Sequence, residues 1–112
     1  MYIIYSPKVS HMYYKKSEYK FIQFQKSDRQ GKKYTAVLQH KPNKKIVYIH
    51  FGAIKPDGTP YEQYKDSTGL KLYSKYDHGD KKRKQKYIAR HKGFIKTGYY
   101  SAGDLSLRYL WT

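Results

Sequence analysis

Cysteine is absent from the 112 residues, which excludes disulfides, thiolate nucleophiles and Cys-type zinc sites. Carboxylates are scarce, with 8 Asp and Glu against 24 Lys and Arg. Paired acids, the usual equipment of hydrolases and metal sites, are correspondingly few. No apolar run approaches the ~18–20 residues of a membrane span. The opening Met-Tyr-Ile-Ile-Tyr lacks the charged and apolar regions of a signal peptide, so a cytosolic, nuclear or particle-bound protein is expected. The apolar fraction, 38%, is also low, below the usual ~45–50%. A single modest domain fits these limits.

What is abundant is tyrosine and positive charge. Fifteen Tyr stand beside four Phe and one Trp, so the core is expected to consist of aromatic bodies with their hydroxyls at polar edges. The net charge is +16, beyond the ~2–8 that solubility asks of a small domain. Residues 1–60 hold 12 basic and 3 acidic residues and residues 61–112 hold 12 and 5, so the whole chain is basic and not one tail. Self-repulsion at this density opposes compaction and is relieved by an anionic partner.

Periodicity predicts an α+β fold. A short strand at 2–5 precedes a polar stretch, in which 12–14 form an aromatic docking point. A second strand runs over 19–25, with Phe21 and Gln23 on one face. Two strands at 33–40 and 45–51 are joined by Lys41-Pro42-Asn43-Lys44 into a hairpin. Alternation places Tyr34, Ala36 and Leu38 on one face, and Val47, Ile49 and Phe51 on a shared face of the partner strand. A rigid turn follows at 56–60, and residues 61–76 read as loop with at most one helical turn. A helix is expected over 81–92, capped by Asp80 and closed by Gly93 as a C′ residue, with Tyr87, Ile88 and His91 facing the sheet. A second helix is expected over 105–111, with Asp104 as cap and Leu107, Leu110 and Trp111 as anchors. The expected architecture is a small antiparallel sheet centred on a 33–51 hairpin with one or two C-terminal helices. It divides into a 1–30 aromatic and basic extension or clamp and a 31–112 domain.

The sharpest functional signal is the start of the first helix. Lys81, Lys82, Arg83, Lys84 and Lys86 lie in its first two turns, where the helix macrodipole is already positive. Helix stability alone would place them at the other end, so they are expected, with Arg90, to bind an anionic partner; Lys75, Lys92 and Lys96 extend the region. Nucleic acid, membrane headgroups and an acidic protein all fit this footprint. Interleaved tyrosines could stack on bases or serve as protein-interface anchors; Tyr2, Tyr5, Tyr13, Tyr14 and Tyr19 form the candidate aromatic interface. Asp77 with Asp80 and Glu62 with Asp66 read as caps and local charge balance. His40 and His50 could approach across the hairpin but lack a third ligand; His78 and His91 bracket the basic helix. Ser101-Ala-Gly103 and Gly52 do not make a phosphate loop. No catalytic residue, metal site or cofactor is assigned, and the protein is expected not to be an enzyme.

A set of ordered pieces carries a resemblance. They are Gly-Lys-Lys-Tyr at 31–34, Val-Tyr-Ile-His-Phe-Gly-Ala at 47–53, the segments 61–66 and 76–80, the basic run 81–91, Ser-Ala-Gly-Asp-Leu-Ser at 101–106, and Leu110-Trp111. Together they resemble a family of small basic uncharacterised proteins encoded by large nucleocytoplasmic DNA viruses of algae and protists. The resemblance implies a virion component assembled in the host cytoplasm and present in many copies per particle. The first expected role is a minor capsid protein docked on major and other minor capsid proteins, with nucleic acid or inner-membrane headgroups as further partners. The alternative is a basic protein that neutralises or packages viral DNA.

Overall fold

The computed structural model describes residues 13–112, and the expected strand at 2–5, with Tyr2 and Tyr5, lies outside them. The elements are β1 (Tyr14–Lys15), β2 (Tyr19–Lys26), β3 (Lys32–His40), β4 (Ile46–Ala53), α1 (Lys81–His91), β5 (Tyr99–Tyr100) and α2 (Ala102–Leu110), with single 3₁₀ turns at Ser74–Tyr76 and Lys92–Phe94. The fold is α+β. β2, β3 and β4 form an antiparallel meander, and β1 pairs with β5 in a two-stranded ribbon.

The hairpin expectation holds in register: Tyr34 opposes Phe51, Ala36 opposes Ile49 and Leu38 opposes Val47. Tyr34, Ala36, Leu38, Ile49 and Phe51 are buried in one cluster with Leu105 and Leu110 of α2. Each large side chain in it contributes about 1.5–3 kcal/mol of burial. β3 is buried without a break from Lys33 to Leu38, the signature of a central strand covered on both sides. Gly52 has φ +80, and a Cβ there would stand 3.0 Å from Lys33 Cβ and 3.1 Å from Leu110 Cδ1. Glycine is what permits the end of β4 to pass so close to α2.

Several expectations need correction. A β-bulge between Phe21 and Gln23 shifts the register of β2. Phe21 therefore shares a side with Phe24, their ring centroids 4.7 Å apart, and not with Gln23, while Ile22 is left exposed. One inserted residue defeats strict alternation. The described part of the 1–30 segment is hydrogen-bonded into the sheet, since β2 pairs along β3 from Tyr19↔His40 to Lys26↔Tyr34. α2 begins at Ala102, and its cap is Ser101, whose side chain accepts from Asp104 N at 3.1 Å. Asp104 is instead a buried residue of the first turn, with both Lys16 Nζ and Arg108 Nε 3.1 Å from its Oδ1. The expected anchors of this helix also shift, with Leu105 and Leu110 fully buried and Leu107 only half-buried. Gly93 does not adopt a left-handed C′ conformation; the chain continues through it into the 3₁₀ turn.

Candidate polyanion-binding cleft

α1 starts where its sequence says it should. Asp80 is extended, and its carboxylate accepts from Lys82 N at 2.9 Å and Arg83 N at 3.2 Å. Those hydrogen bonds hold the Asp80 carboxyl below its usual pKa. His78 supports the cap from behind, its Nδ1 accepting from Asp80 N at 2.8 Å. Burial lowers the His78 pKa, which keeps that nitrogen available as an acceptor.

The helix does not meet the sheet as expected. No residue of α1 is fully buried, and its dock is a ring stack. Tyr87 lies flat on Trp111 at 4.1 Å with 1° between planes, and His91 stacks on Tyr87 at 4.0 Å and 19°. Trp111 in turn packs against the hydrophobic core. The C-terminal Leu110-Trp111 pair thus fastens the basic helix to the fold, as its aromatic bulk suggested.

Between α1, the start of β3, the turn after β4 and α2 lies a cleft of about 800 Å³. Five Lys and Arg side chains from three parts of the chain line it: Lys32, Lys33, Lys55, Arg83 and Arg90. The lining contains one carboxylate, Glu62. It is engaged by Arg83 Nη1 at 2.9 Å, which holds its pKa below the usual carboxylate value. Tyr61, Tyr76, Tyr87 and Trp111 supply aromatic walls.

The helical cations named from the sequence divide between two environments. Arg83 and Arg90, seven apart and on one face with Tyr87, line the cleft. Lys81, Lys82 and Lys86 are exposed and are not part of its wall. Lys84 lies over the Tyr64 ring at 4.6 Å. The candidate aromatic interface divides too. Tyr14 and Tyr19 are half-buried and packed against the core, with their rings 5.0 Å apart. Tyr13 is exposed and meets Tyr99 edge-on at 6.3 Å.

Lys33 is the site residue the sequence hides. Alternation places it opposite Tyr34 on an outward face, yet it is 2% exposed. Its ammonium donates to Tyr61 O at 2.6 Å and Gln63 Oε1 at 2.7 Å. Burial lowers its pKa to about 8, against the opposing pull of Asp66 and Asp77. Gln63, fully buried, passes the network on by donating to Tyr73 O and to Asp77 Oδ1, each at 2.9 Å. Asp77 also accepts from Asp66 N at 2.9 Å, and Asp66 accepts from the Tyr34 hydroxyl. This polar network orders the 54–77 loop that forms one wall of the cleft. Nothing in the run Lys-Lys-Tyr-Thr-Ala-Val-Leu-Gln-His marks its second lysine as the buried one.

The two acid pairs are consumed structurally, Asp77 and Asp66 in this network, Asp80 as a cap and Glu62 in an ion pair. His40 and His50 do not converge, because His40 pairs with Tyr19 and His50 with Thr35 at separate points of the sheet. His50 Nδ1 lies 2.7 Å from Thr35 Oγ1 and 2.9 Å from Ser27 Oγ. Among the described residues, no group of three or more His, Cys, Asp or Glu could hold a metal ion. No protein-family model, curated protein or solved structure matches the chain.

Proposed function

We propose that the protein is a non-enzymatic component of a large DNA virus particle that holds nucleic acid through the cleft and the basic surface of α1. The viral attribution rests on the sequence resemblance alone. The observation that carries the binding role is the convergence of Lys32, Lys33, Lys55, Arg83 and Arg90 on one concave surface whose single carboxylate is already paired. Cations gathered at that density repel one another, and phosphates relieve the repulsion while releasing condensed counterions. The aromatic clamp expected for capsid docking has less support, because Tyr14 and Tyr19 are used inside the fold.

The capsid role remains the second reading, favoured by a different surface. Ile46 and Tyr48 are 44% and 56% exposed on the face of the meander that also carries Val37 and Gln39. An uncovered Tyr and Ile suit a protein contact. Disrupting particles in about 0.5 M salt, where electrostatic contacts are strongly screened, tests the two. Release from both shell and DNA at that salt, with retention on DNA at low salt, is the expected result. Retention on empty shells at high salt would favour the capsid role.

A further inference from the structure

We propose that the cleft is a single-strand site: it takes an unpaired nucleotide, with the base against Tyr61 and the flanking phosphates on Lys32, Lys55 and Arg90. The inference rests on the nucleic-acid reading above and narrows it to one form of nucleic acid.

Concavity is the first argument. A cleft of about 800 Å³ lies within the ~300–1,000 Å³ of ordinary small-ligand sites. A duplex is a stiff rod whose phosphates face outward and whose bases stay stacked inside. It can lie on the exposed Lys81, Lys82 and Lys86 but cannot deliver a ring into a recess. A single strand can, because its bases are free to splay and stack on aromatic side chains.

The second argument is the state of Tyr61. The residue is 47% exposed, while its backbone is fixed on both sides: Tyr61 N donates to Ala53 O at 3.2 Å, and Tyr61 O accepts from buried Lys33 at 2.6 Å. Lys55 Nζ sits over the ring at 5.5 Å. A half-exposed tyrosine on an immobilised backbone with a cation beside it loses little freedom when a base stacks on it and a phosphate meets the cation. Tyr76 is less exposed than Tyr61 and lies under Lys75 Nζ at 5.3 Å, a residue outside the cleft wall. Tyr87 is stacked with Trp111 and His91, and Trp111 also lies 5.2 Å from His78.

The polar floor is the third argument. Lys33 has three N–H donors and directs two of them to Tyr61 O and Gln63 Oε1. Its charge adds to the field at the base of the cleft, where the low dielectric strengthens it.

The test compares a labelled oligothymidylate of about ten nucleotides, within the span of known single-strand modules, with a hairpin duplex of matching length. Both are titrated with the full chain at one salt concentration. Trp111, the sole tryptophan, lines the cleft and gives a second readout through its intrinsic fluorescence. The single strand should bind about tenfold more tightly and change the Trp111 emission. Tyr61→Ala should weaken single-strand binding about tenfold, the loss expected of one stacked base, and leave duplex binding within about twofold; Tyr61→Phe should retain both. Equal or tighter duplex binding, or a single-strand affinity indifferent to Tyr61→Ala, would overturn the single-strand assignment and leave polyanion binding standing. Failure to bind either nucleic acid would overturn both.

Discussion

Lys33 carries an ammonium into a place where Leu or Val would be expected, and its energetics should be visible in pH. Burial lowers its folded pKa to about 8 from 10.5. Between these values the unfolded chain binds more protons than the folded one, so stability rises with pH across that window. Tyr34 works in the opposite sense. Burial, together with its hydrogen bond to Asp66, raises its folded pKa to about 12 from 10.0, so its contribution is lost as pH climbs from 10 towards 12. The unfolding free energy should therefore rise by about 2 kcal/mol between pH 7.5 and 9.5 and fall at higher pH. Denaturant melts of Lys33→Met should lack most of that rise; an identical slope in the variant would remove Lys33 as its source. Gly52→Ala should destabilise by about 2 kcal/mol or more, from a side chain at positive φ added to a clash with Lys33 and Leu110. A midpoint unchanged in denaturant would show that the close approach at Gly52 is not a constraint. Neither residue announces its role in the sequence. Burial of Lys33 depends on a partner 30 positions away, and the approach at Gly52 depends on how α2 crosses β4.

At the scale of elements, α1 is held by aromatic stacking more than by a buried apolar face. Trp111→Ala removes the surface on which Tyr87 lies. Because Trp111 is only half-buried, the loss should be about 2–3 kcal/mol, below the ~3–5 of a fully buried Trp. Amide exchange should accelerate in α1 more than in β3. Uniform acceleration across the molecule would mean that the stack is part of the core and not a separate fastening. Asp80→Ala should loosen the first turn of α1 through the lost cap, again read as faster exchange at Lys82 and Arg83. The main elements were legible: the hairpin and its inward faces, the start of α1 and the Asp80 cap follow from alternation and capping chemistry, which are local, whereas the two-residue strands β1 and β5 are too short to show a period. Their docking was not. A moderately amphipathic helix can seat Tyr87, Ile88 and His91 on a sheet or on another ring, and only the position of Trp111 decides. The bulge at Ile22 and the exchange of Ser101 for Asp104 as cap are shifts of one to three residues that periodicity cannot resolve.

Across the whole molecule most of the few carboxylates are spent on architecture. Asp66 and Asp77 organise the loop, Asp104 ties Lys16 and Arg108 together, Asp80 caps α1, and Asp57 accepts from Thr59 N in its turn. Eight Asp and Glu against 24 Lys and Arg leave a net charge of +16, so the surface presents a cationic field, and the cleft gathers five of these cations. That field was legible from composition; its focus was not, because Lys32, Lys55 and Arg90 are far apart in sequence. The most direct test is a titration with the single-stranded oligothymidylate over about 50–300 mM salt with the wild-type chain and two triple variants. One replaces Lys32, Lys55 and Arg90 with Gln, the other Lys41, Lys44 and Lys45 of the hairpin loop. Removing cleft cations should weaken binding by about tenfold or more and make the salt dependence shallower, while the loop variant stays close to wild type. Equal losses in the two variants, or a larger loss in the loop variant, would show that binding follows total charge or another face, and would contradict the cleft.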